Sequence, residues 1–439
     1  MSEVPVGDIR TMTKTTYLQG DVRVPGELRT ATQAFWLAAI SEGTSCFSHV
    51  PPSAAATLEL LQVLGVEVTR DNDTATVCGV GLHGLRQSPD VIDLDIPEPA
   101  LLPAVAILSQ QSFVSRVRIP AQSRDPAVQL LGLLARTGAA YAQEDELLLR
   151  LDGTESPVGV TYEASDLPGS VKLGLLTAGL FGDKPTVVRE SPSSKDRVDA
   201  LLKARGVSVD GSRQADPTVR TITLKPATPR ALDVDIAGDL ACALPFIVAA
   251  LGVRRAAVTI GRVMLRPENR VFIDIVRQIG GELEIVDNDD GTVDLLVKGA
   301  GKMKATRIAE KRSQSLLDHV ALLAVLATQT EGEFIIRDVE SLRDGAFDFI
   351  DHLANQLRAI QAKVGEYSYG LVIDGGRPLL GARIETRRHA GLTQAFAVAG
   401  LLATGTMEIE DTDCVDRVFP GFFAQLDALQ SHKTREKTT

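Results

Sequence analysis

The sequence predicts an α/β protein made of six similar units, three in each of two domains. Six apolar segments rich in small residues recur along the chain, and their starts are separated by 68, 70, 71, 76 and 74 residues. A β-like stretch such as GTSCFSHV or KPTVVRE follows the segment in most units. Regular recurrence at this period indicates one supersecondary unit used repeatedly. The segments are 34–39, 102–108, 172–178, 243–250, 319–325 and 393–399.

A second helix-like run follows in most units and ends at a small residue before another strand. Examples are LELLQVLGVEV, QLLGLLARTGAAY and FIDIVRQIGGELEI. The glycine after the run (Gly65, Gly138, Gly206 and Gly280) suits a helix C-terminus, where the left-handed conformation costs glycine little. Each unit is therefore predicted as strand, helix, strand, helix, strand, strand.

The composition excludes several classes of protein. The chain has 439 residues, 44% of them hydrophobic, so it can bury full cores, and its length favours two or three domains. The longest apolar run, 240–253, is shorter than the roughly 20 residues that cross a bilayer. We therefore expect no membrane partner, and without a basic, apolar leader we expect a cytoplasmic protein.

Charge and cysteine content narrow the partners further. The net charge of −11 argues against nucleic-acid binding, which usually needs a basic face. The four cysteines (Cys46, Cys78, Cys242 and Cys414) lie far apart without a CxxC pair, so no metal site or disulfide framework is expected. No motif calls for a cofactor. The partners expected are small-molecule substrates.

The local sequence resembles the EPSP synthase branch of the enolpyruvyltransferase family. The matching stretches are VPGELRTATQAFWLAAISEGTS, AGDLACALPFIVAAL, LLDHVALLAVLATQTEGEFIIRDVESLR and AFAVAGLLATGTMEIEDTDCVDRVFPGFFAQL. The resemblance implies a two-domain inverted α/β barrel of six βαβαββ repeats. The implied domains are 22–235, and 1–21 joined with 236–439, with the active-site cleft between them. Helix N-termini aimed at that cleft would suit phosphate groups.

The chain departs from the family at most positions that carry charge. The family's signature lysine and arginine correspond to Leu28 and Gln33, and a third family arginine corresponds to Gly391. The Lys-Glu-x-Asp-Arg run falls on residues 345–349, which read GAFDF. Enolpyruvyl transfer must neutralise a carboxylate and a leaving phosphate, so these losses predict that the chain does not make EPSP.

The family's proton-transfer aspartate is retained as Asp318. Asp318 and His319 begin the apolar helix HVALLAVLA. The resemblance implies that Asp318 faces the cleft, and His319 beside it is predicted to complete a catalytic acid/base pair because histidine titrates near neutral pH. The alternative is that Asp318 only complements the helix dipole and His319 packs nearby.

Ten further residues are substrate-binding candidates because the resemblance points their segments toward the cleft. For the arginines the alternative is a solvated surface charge, and for Asp239 and His389 it is helix capping. Arg197 lies in SSKDR, which also suits a capping box. The candidates are Arg29, Arg124, Ser170, Arg197, Asp239, Arg343, Arg387, Arg388, His389 and Arg417.

Three functions are compatible with this pattern. The favoured one is a transferase of natural-product biosynthesis, a pseudo-glycosyltransferase that joins a nucleotide-activated, valienol-type cyclitol to an amino-sugar nucleotide, as in acarbose-type assembly. Arg29 would then suit a nucleotide diphosphate, since arginine binds phosphate through two parallel hydrogen bonds. The second is a divergent 3-phosphoshikimate 1-carboxyvinyltransferase or another carboxyvinyltransferase. The third is a pseudoenzyme without chemistry.

Overall fold

The structure is a computed structural model that describes residues 8–96, 98–191, 198–213 and 219–431. The chain divides into two compact units. The continuous unit is Leu28–Ile236, and the discontinuous unit combines Met1–Glu27 with Ala237–Thr439. Each unit has its own hydrophobic core.

The strands of the described residues are short and numerous. Those up to the middle of the chain are β1 (Arg10–Thr13), β2 (Tyr17–Val22), β3 (Glu42–Ser48), β4 (Glu67–Asp71), β5 (Thr74–Val80), β6 (Ile92–Asp93), β7 (Ser115–Arg118), β8 (Ala140–Gln143), β9 (Leu148–Gly153), β10 (Thr161–Glu163), β11 (Thr186–Glu190), β12 (Val209–Arg213), β13 (Arg220–Leu224) and β14 (Val234–Asp235). The later strands are β15 (Arg255–Val263), β16 (Leu283–Asp287), β17 (Val293–Lys298), β18 (Met303–Lys304), β19 (Arg307–Ile308), β20 (Thr330–Glu331), β21 (Glu333–Arg337), β22 (Lys363–Tyr367), β23 (Gly370–Asp374), β24 (Arg383–Ile384) and β25 (Thr406–Ile409).

The α-helices alternate with these strands. They are α1 (Leu28–Ala39), α2 (Ala55–Val63), α3 (Glu98–Ser109), α4 (Arg124–Leu134), α5 (Gly169–Gly179), α6 (Val198–Ala204), α7 (Leu240–Gly252), α8 (Val271–Gln278), α9 (Lys311–Gln314), α10 (Val320–Thr328), α11 (Phe349–Ala359), α12 (Ala390–Leu402) and α13 (Phe422–Gln430). Among the described residues, no helix has the length and apolarity needed to span a membrane.

Five sheets share one strand pattern, which confirms the predicted α/β fold of repeated units. In each, a short lead strand runs parallel to a central strand, and an antiparallel hairpin completes the sheet. The continuous unit contains the orders β14-β3-β5-β4, β6-β7-β9-β8 and β10-β11-β13-β12. The discontinuous unit contains β2-β15-β17-β16 and β19-β21-β23-β22, the three-stranded β1-β25-β24 and the pair β18-β20.

Two lead strands do not pair with the repeat that follows them in the sequence. Strand β2 precedes the first repeat but pairs in parallel with β15 of the fourth, Tyr17 opposite Arg255. Strand β14 precedes the fourth repeat but pairs with β3 of the first, Val234 opposite Phe47. The chain therefore enters and leaves the continuous unit between residues 22 and 28 and near residue 236.

The helices that begin with small-residue segments are buried on all sides. Residues 320–328 of α10 and residues 170–179 of α5 are buried without interruption. A helix that is apolar around its whole circumference belongs inside a core, and small side chains let such helices pack closely. In the discontinuous unit, α7, α10 and α12 contact one another, and the starts of α10 and α12 lie close together, since a Cβ at Gly391 would be 3.7 Å from the backbone oxygen of Asp318.

Candidate active site

Asp318 and His319 lie in a 3-10 turn, Leu317–His319, directly before α10. Asp318 is exposed, whereas His319 is partly buried with its ring edge-on to Phe272 at a centroid distance of 6.4 Å. Burial lowers the pKa of His319, and the negative charge of Asp318 opposes that shift. The imidazole is therefore mostly neutral at pH 7, beside a carboxylate that solvent and ligands can reach.

His389 reaches the same region from a different repeat. It is the N-cap of α12, and its Nδ1 accepts a hydrogen bond from the backbone N–H of Leu392 at 3.2 Å. Its ring packs against Phe349 at a centroid distance of 5.1 Å. Burial lowers the pKa of His389, and the charge of Asp318 again opposes the shift. Asp318 thus lies within electrostatic reach of two imidazoles.

A second cluster of charge surrounds the start of α7. Asp239 caps this helix, its Oδ1 accepting the N–H of Ala241 at 2.9 Å. Burial raises the pKa of Asp239 to about 6; the bond from Ala241 opposes this shift, and the neighbouring Glu27 adds to it. Glu27 itself forms an ion pair with Arg266. The sequence did not indicate that Glu27 and Arg266 are partners. Glu27 directly precedes Leu28, the position of the family's signature lysine.

Two of the predicted arginines are held by acidic side chains of the discontinuous unit. Arg343 contacts Asp348 at 2.6 Å and Glu366 at 3.2 Å. Arg388 contacts Asp413 at 2.5 Å. Both guanidinium groups are therefore already partly neutralised by carboxylates of the same unit.

Arg387 and Arg417 are placed differently. Both are exposed. The guanidinium of Arg387 lies over the ring of Phe347, 5.1 Å from its centroid, and 3.4 Å from Glu385. Arg387 and Arg388 both adopt positive φ angles, 52° and 55°, immediately before His389. Non-glycine residues with positive φ are uncommon and cluster at functional loops.

The remaining predicted residues lie in the continuous unit. Arg124 donates to the backbone oxygen of Glu146 at 3.1 Å, to Asp125 at 3.0 Å and to Gln143 at 3.2 Å. Ser170 is buried in the first turn of α5, and Arg29 is half-buried in the first turn of α1. Arg197 lies outside the described residues.

A buried ionic cluster in the continuous unit was not anticipated. Lys172 of α5 lies 3.0 Å from Glu190, and the side chains of both are almost completely sealed from solvent. Arg220 reaches the other oxygen of Glu190, also at 3.0 Å. The only signal in the sequence was a lysine in an otherwise apolar helical segment, which marks a charge that must be paired.

Comparison with known proteins identifies the class. The family model described as EPSP synthase (3-phosphoshikimate 1-carboxyvinyltransferase) matches residues 12–426. A 3-phosphoshikimate 1-carboxyvinyltransferase of Syntrophotalea carbinolica is 30% identical over 432 residues, which cover 94% of this chain and 97% of that protein. This chain belongs to the EPSP synthase family, and so to a family of transferases.

Solved structures agree with the fold. An EPSP synthase from Acinetobacter baumannii superimposes with a TM-score of 0.75 at 23% identity, covering 96% of this chain and 98% of that one. The enolpyruvyl transferase NikO from Streptomyces tendae gives a TM-score of 0.64 at 17% identity, covering 96% and 97%. Both similarities concern the fold alone, and they confirm the predicted EPSP synthase-like architecture.

The favoured functional prediction is wrong. Relatives that match nearly the whole chain are named 3-phosphoshikimate 1-carboxyvinyltransferase, and nothing in the comparisons indicates a pseudo-glycosyltransferase, a nucleotide-activated substrate or a cyclitol. The prediction that the chain does not make EPSP fails with it. The error came from counting family cations one position at a time, which gives no weight to similarity spread over more than 400 residues.

Proposed function

We propose that the chain is a carboxyvinyltransferase that moves the carboxyvinyl group of phosphoenolpyruvate onto a hydroxyl of a cyclic acceptor, with shikimate 3-phosphate as the first acceptor to test. The family match over residues 12–426 supports the reaction class. The relatives' name supports the acceptor. The observation that carries the proposal is the retained Asp318, exposed at the start of α10 with two imidazoles in electrostatic reach.

The reaction needs a group that moves protons twice. The acceptor hydroxyl loses its proton as its oxygen attacks C2 of phosphoenolpyruvate, and the methylene carbon C3 gains one, which gives a tetrahedral adduct. C3 then loses a proton and inorganic phosphate leaves, so the products are an enol ether and phosphate. A carboxylate beside imidazoles of lowered pKa suits such transfers near neutral pH. We assign them to Asp318, with His319 as its partner.

The substrate anions need positive or hydrogen-bonding groups. In the discontinuous unit we assign this role to Arg387 and Arg417, which are exposed and have no ion pair with a carboxylate within 3.0 Å in the part of the chain that the structure describes; in the continuous unit we assign it, separately, to the half-buried Arg29. Arginine binds phosphate and carboxylate oxygens through two parallel N–H groups. Arg343 and Arg388 have a structural role in this proposal because their contacts with Asp348 and Asp413, at 2.6 and 2.5 Å, are shorter than the 3.4 Å contact of Arg387 with Glu385.

The test is phosphate release by the full chain incubated with phosphoenolpyruvate and shikimate 3-phosphate, with mass spectrometry of the enol ether product. A parallel panel replaces shikimate 3-phosphate by shikimate and by other phosphorylated cyclic alcohols. Phosphate release with any acceptor supports the reaction class, and the best acceptor decides the substrate. A ligand present at a hundred times its dissociation constant stabilises the folded protein by about 2.7 kcal/mol. The proposal fails if no acceptor gives phosphate and if saturating phosphoenolpyruvate also leaves the melting temperature unchanged.

A further inference from the structure

The imidazole of His389 is constrained from three directions. Its Nδ1 accepts the N–H of Leu392, and its ring packs on Phe349. Gly391 supplies the third constraint: a Cβ atom at that position would lie 3.1 Å from Cε1 and 3.4 Å from Nδ1 of the ring. A side chain at residue 391 would therefore press on the imidazole, which would have to shift by a few tenths of an ångström to accept it.

The capping bond determines which nitrogen carries the proton. A nitrogen that accepts a hydrogen bond must present a lone pair, so Nδ1 is unprotonated while the cap is intact. The neutral ring then carries its proton on Nε2. Protonation to imidazolium would place N–H groups on both nitrogens and break the cap, because two donors would face each other. Burial of the ring acts in the same direction, since it lowers the pKa of His389.

This fixed donor lies close to the proposed proton-transfer residue. The Cβ position of Gly391 is 3.7 Å from the backbone oxygen of Asp318, so the two helix starts meet beside the His389 ring. The charge of Asp318 acts on that ring, whose surface is only partly buried. A neutral N–H donor within electrostatic reach of an exposed carboxylate can bind an anion without adding a positive charge that would compete for the carboxylate.

We propose that His389 is a substrate-binding residue whose capping bond locks the imidazole in its Nε2-protonated form, so that Nε2–H donates a hydrogen bond to an anionic oxygen of phosphoenolpyruvate beside Asp318. The choice of phosphoenolpyruvate rests on the proposed function. The locked tautomer and its proximity to Asp318 do not depend on the proposed function.

Nitrogen-15 NMR of the full chain labelled at histidine tests the lock directly. At pH 7 the His389 signals, assigned by their loss in His389→Asn, are expected to show a protonated Nε2 and an unprotonated Nδ1. Asp318→Asn should lower the pKa of His389 further, because it removes the charge that favours imidazolium. A His389 ring protonated on Nδ1, or a pKa that does not respond to Asp318→Asn, overturns the proposal.

Two substitutions separate capping from substrate binding. Asparagine is a strong N-cap, so His389→Asn should preserve the melting temperature while it removes the imidazole; His389→Ala should lower both stability and activity. For His389→Asn we expect kcat/KM for phosphoenolpyruvate to fall about 10-fold, the loss of one hydrogen bond to a charged oxygen. Unchanged kcat/KM in His389→Asn contradicts the proposal. Gly391→Ala provides an independent variant, expected to shift the His389 signals and to lower kcat/KM with His389 still present.

Addition of phosphoenolpyruvate distinguishes this proposal from the proposed function. The Nε2–H signal should move with phosphoenolpyruvate, and inorganic phosphate alone reports whether the leaving group suffices. If the signal moves but no acceptor releases phosphate, the reaction class fails and the His389 assignment stands. If phosphate is released but the signal does not move, the reaction class stands and the His389 assignment fails.

Discussion

Three helices of the discontinuous unit begin differently from α2, α4 and α5 of the continuous unit. In the discontinuous unit, α7, α11 and α12 each begin at a titratable side chain that accepts a backbone N–H, namely Asp239, Asp348 and His389. In the continuous unit, α2, α4 and α5 begin without any side-chain cap. Helices α8, α9, α10 and α13 of the discontinuous unit also begin without a side-chain cap, so within the described part of this unit the titratable caps are confined to α7, α11 and α12.

The two units also treat buried charge differently. Asp318, His319 and His389 remain partly accessible and can exchange protons with a ligand. Lys172 and Glu190 of the continuous unit are sealed inside the core, where Glu190 pairs with both Lys172 and Arg220. We infer that proton transfer belongs to the discontinuous unit, whereas the ionic cluster of the continuous unit holds α5 against β11.

The sharpest way to break this comparison is Asp318→Asn. We expect phosphate release to fall about 10²- to 10⁴-fold, the usual contribution of a proton-transfer group, while the melting temperature stays the same because Asp318 is exposed. The matched control is Asp344→Asn, an exposed aspartate of the same unit. Equal activities of the two variants would remove Asp318 from the reaction.

Lys172→Met tests the sealed charges of the continuous unit. Removing Lys172 leaves the buried Glu190 with Arg220 as its remaining cationic partner, so we expect a loss of at most about 3–5 kcal/mol in the free energy of unfolding, measured by urea denaturation. Arg116→Ala, which removes an exposed ion pair with Glu144, should cost at most about 1 kcal/mol. The double variant Lys172→Met, Glu190→Gln should recover part of the loss. If Lys172→Met lowered the free energy of unfolding no more than Arg116→Ala does, the buried position of the Lys172–Glu190 pair would be contradicted.

Asp239 gives the smallest and most specific effect, a dependence of stability on pH. Its folded pKa of about 6 lies above the ordinary 3.8, so the folded state binds more protons than the unfolded state between these values. Stability should therefore fall as pH rises from about 4 to about 6, by about 1–2 kcal/mol for a partly exposed group. Asp239→Asn retains the cap and should remove this component, whereas Asp239→Ala should also lose about 1 kcal/mol of capping. Identical pH profiles for wild type and Asp239→Asn would contradict the pKa.

The proposed acid/base pair could be located from sequence because its signal is local. Asp318 stands directly before an apolar helix, in a stretch that resembles the family over many residues. For Asp239 and His389 the sequence left capping and substrate binding open. Both residues precede a predicted helix, which is compatible with a cap, but the local sequence does not show which groups surround the side chain. The partners of the arginines could not be predicted from the sequence. Arg388 contacts Asp413, and Arg343 contacts Glu366, across turns and strands whose register no local pattern encodes.

The sequence was enough to predict the repetition, the family, and the strand and helix order of five repeats, whereas the sixth has a three-stranded sheet, β1-β25-β24, in place of the predicted hairpin. These follow from periodicity and from side-chain size, which are properties of neighbouring residues. Only the tertiary structure decided that β2 pairs with β15 and β14 with β3, that Lys172 meets Glu190, and that His389 is fixed between Leu392, Phe349 and Gly391. Each of these depends on packing contacts and hydrogen-bond geometry in the folded chain, and each brings together residues that are distant in sequence. Many such pairs are compatible with the same local preferences, and only the packing of the folded core selects one of them.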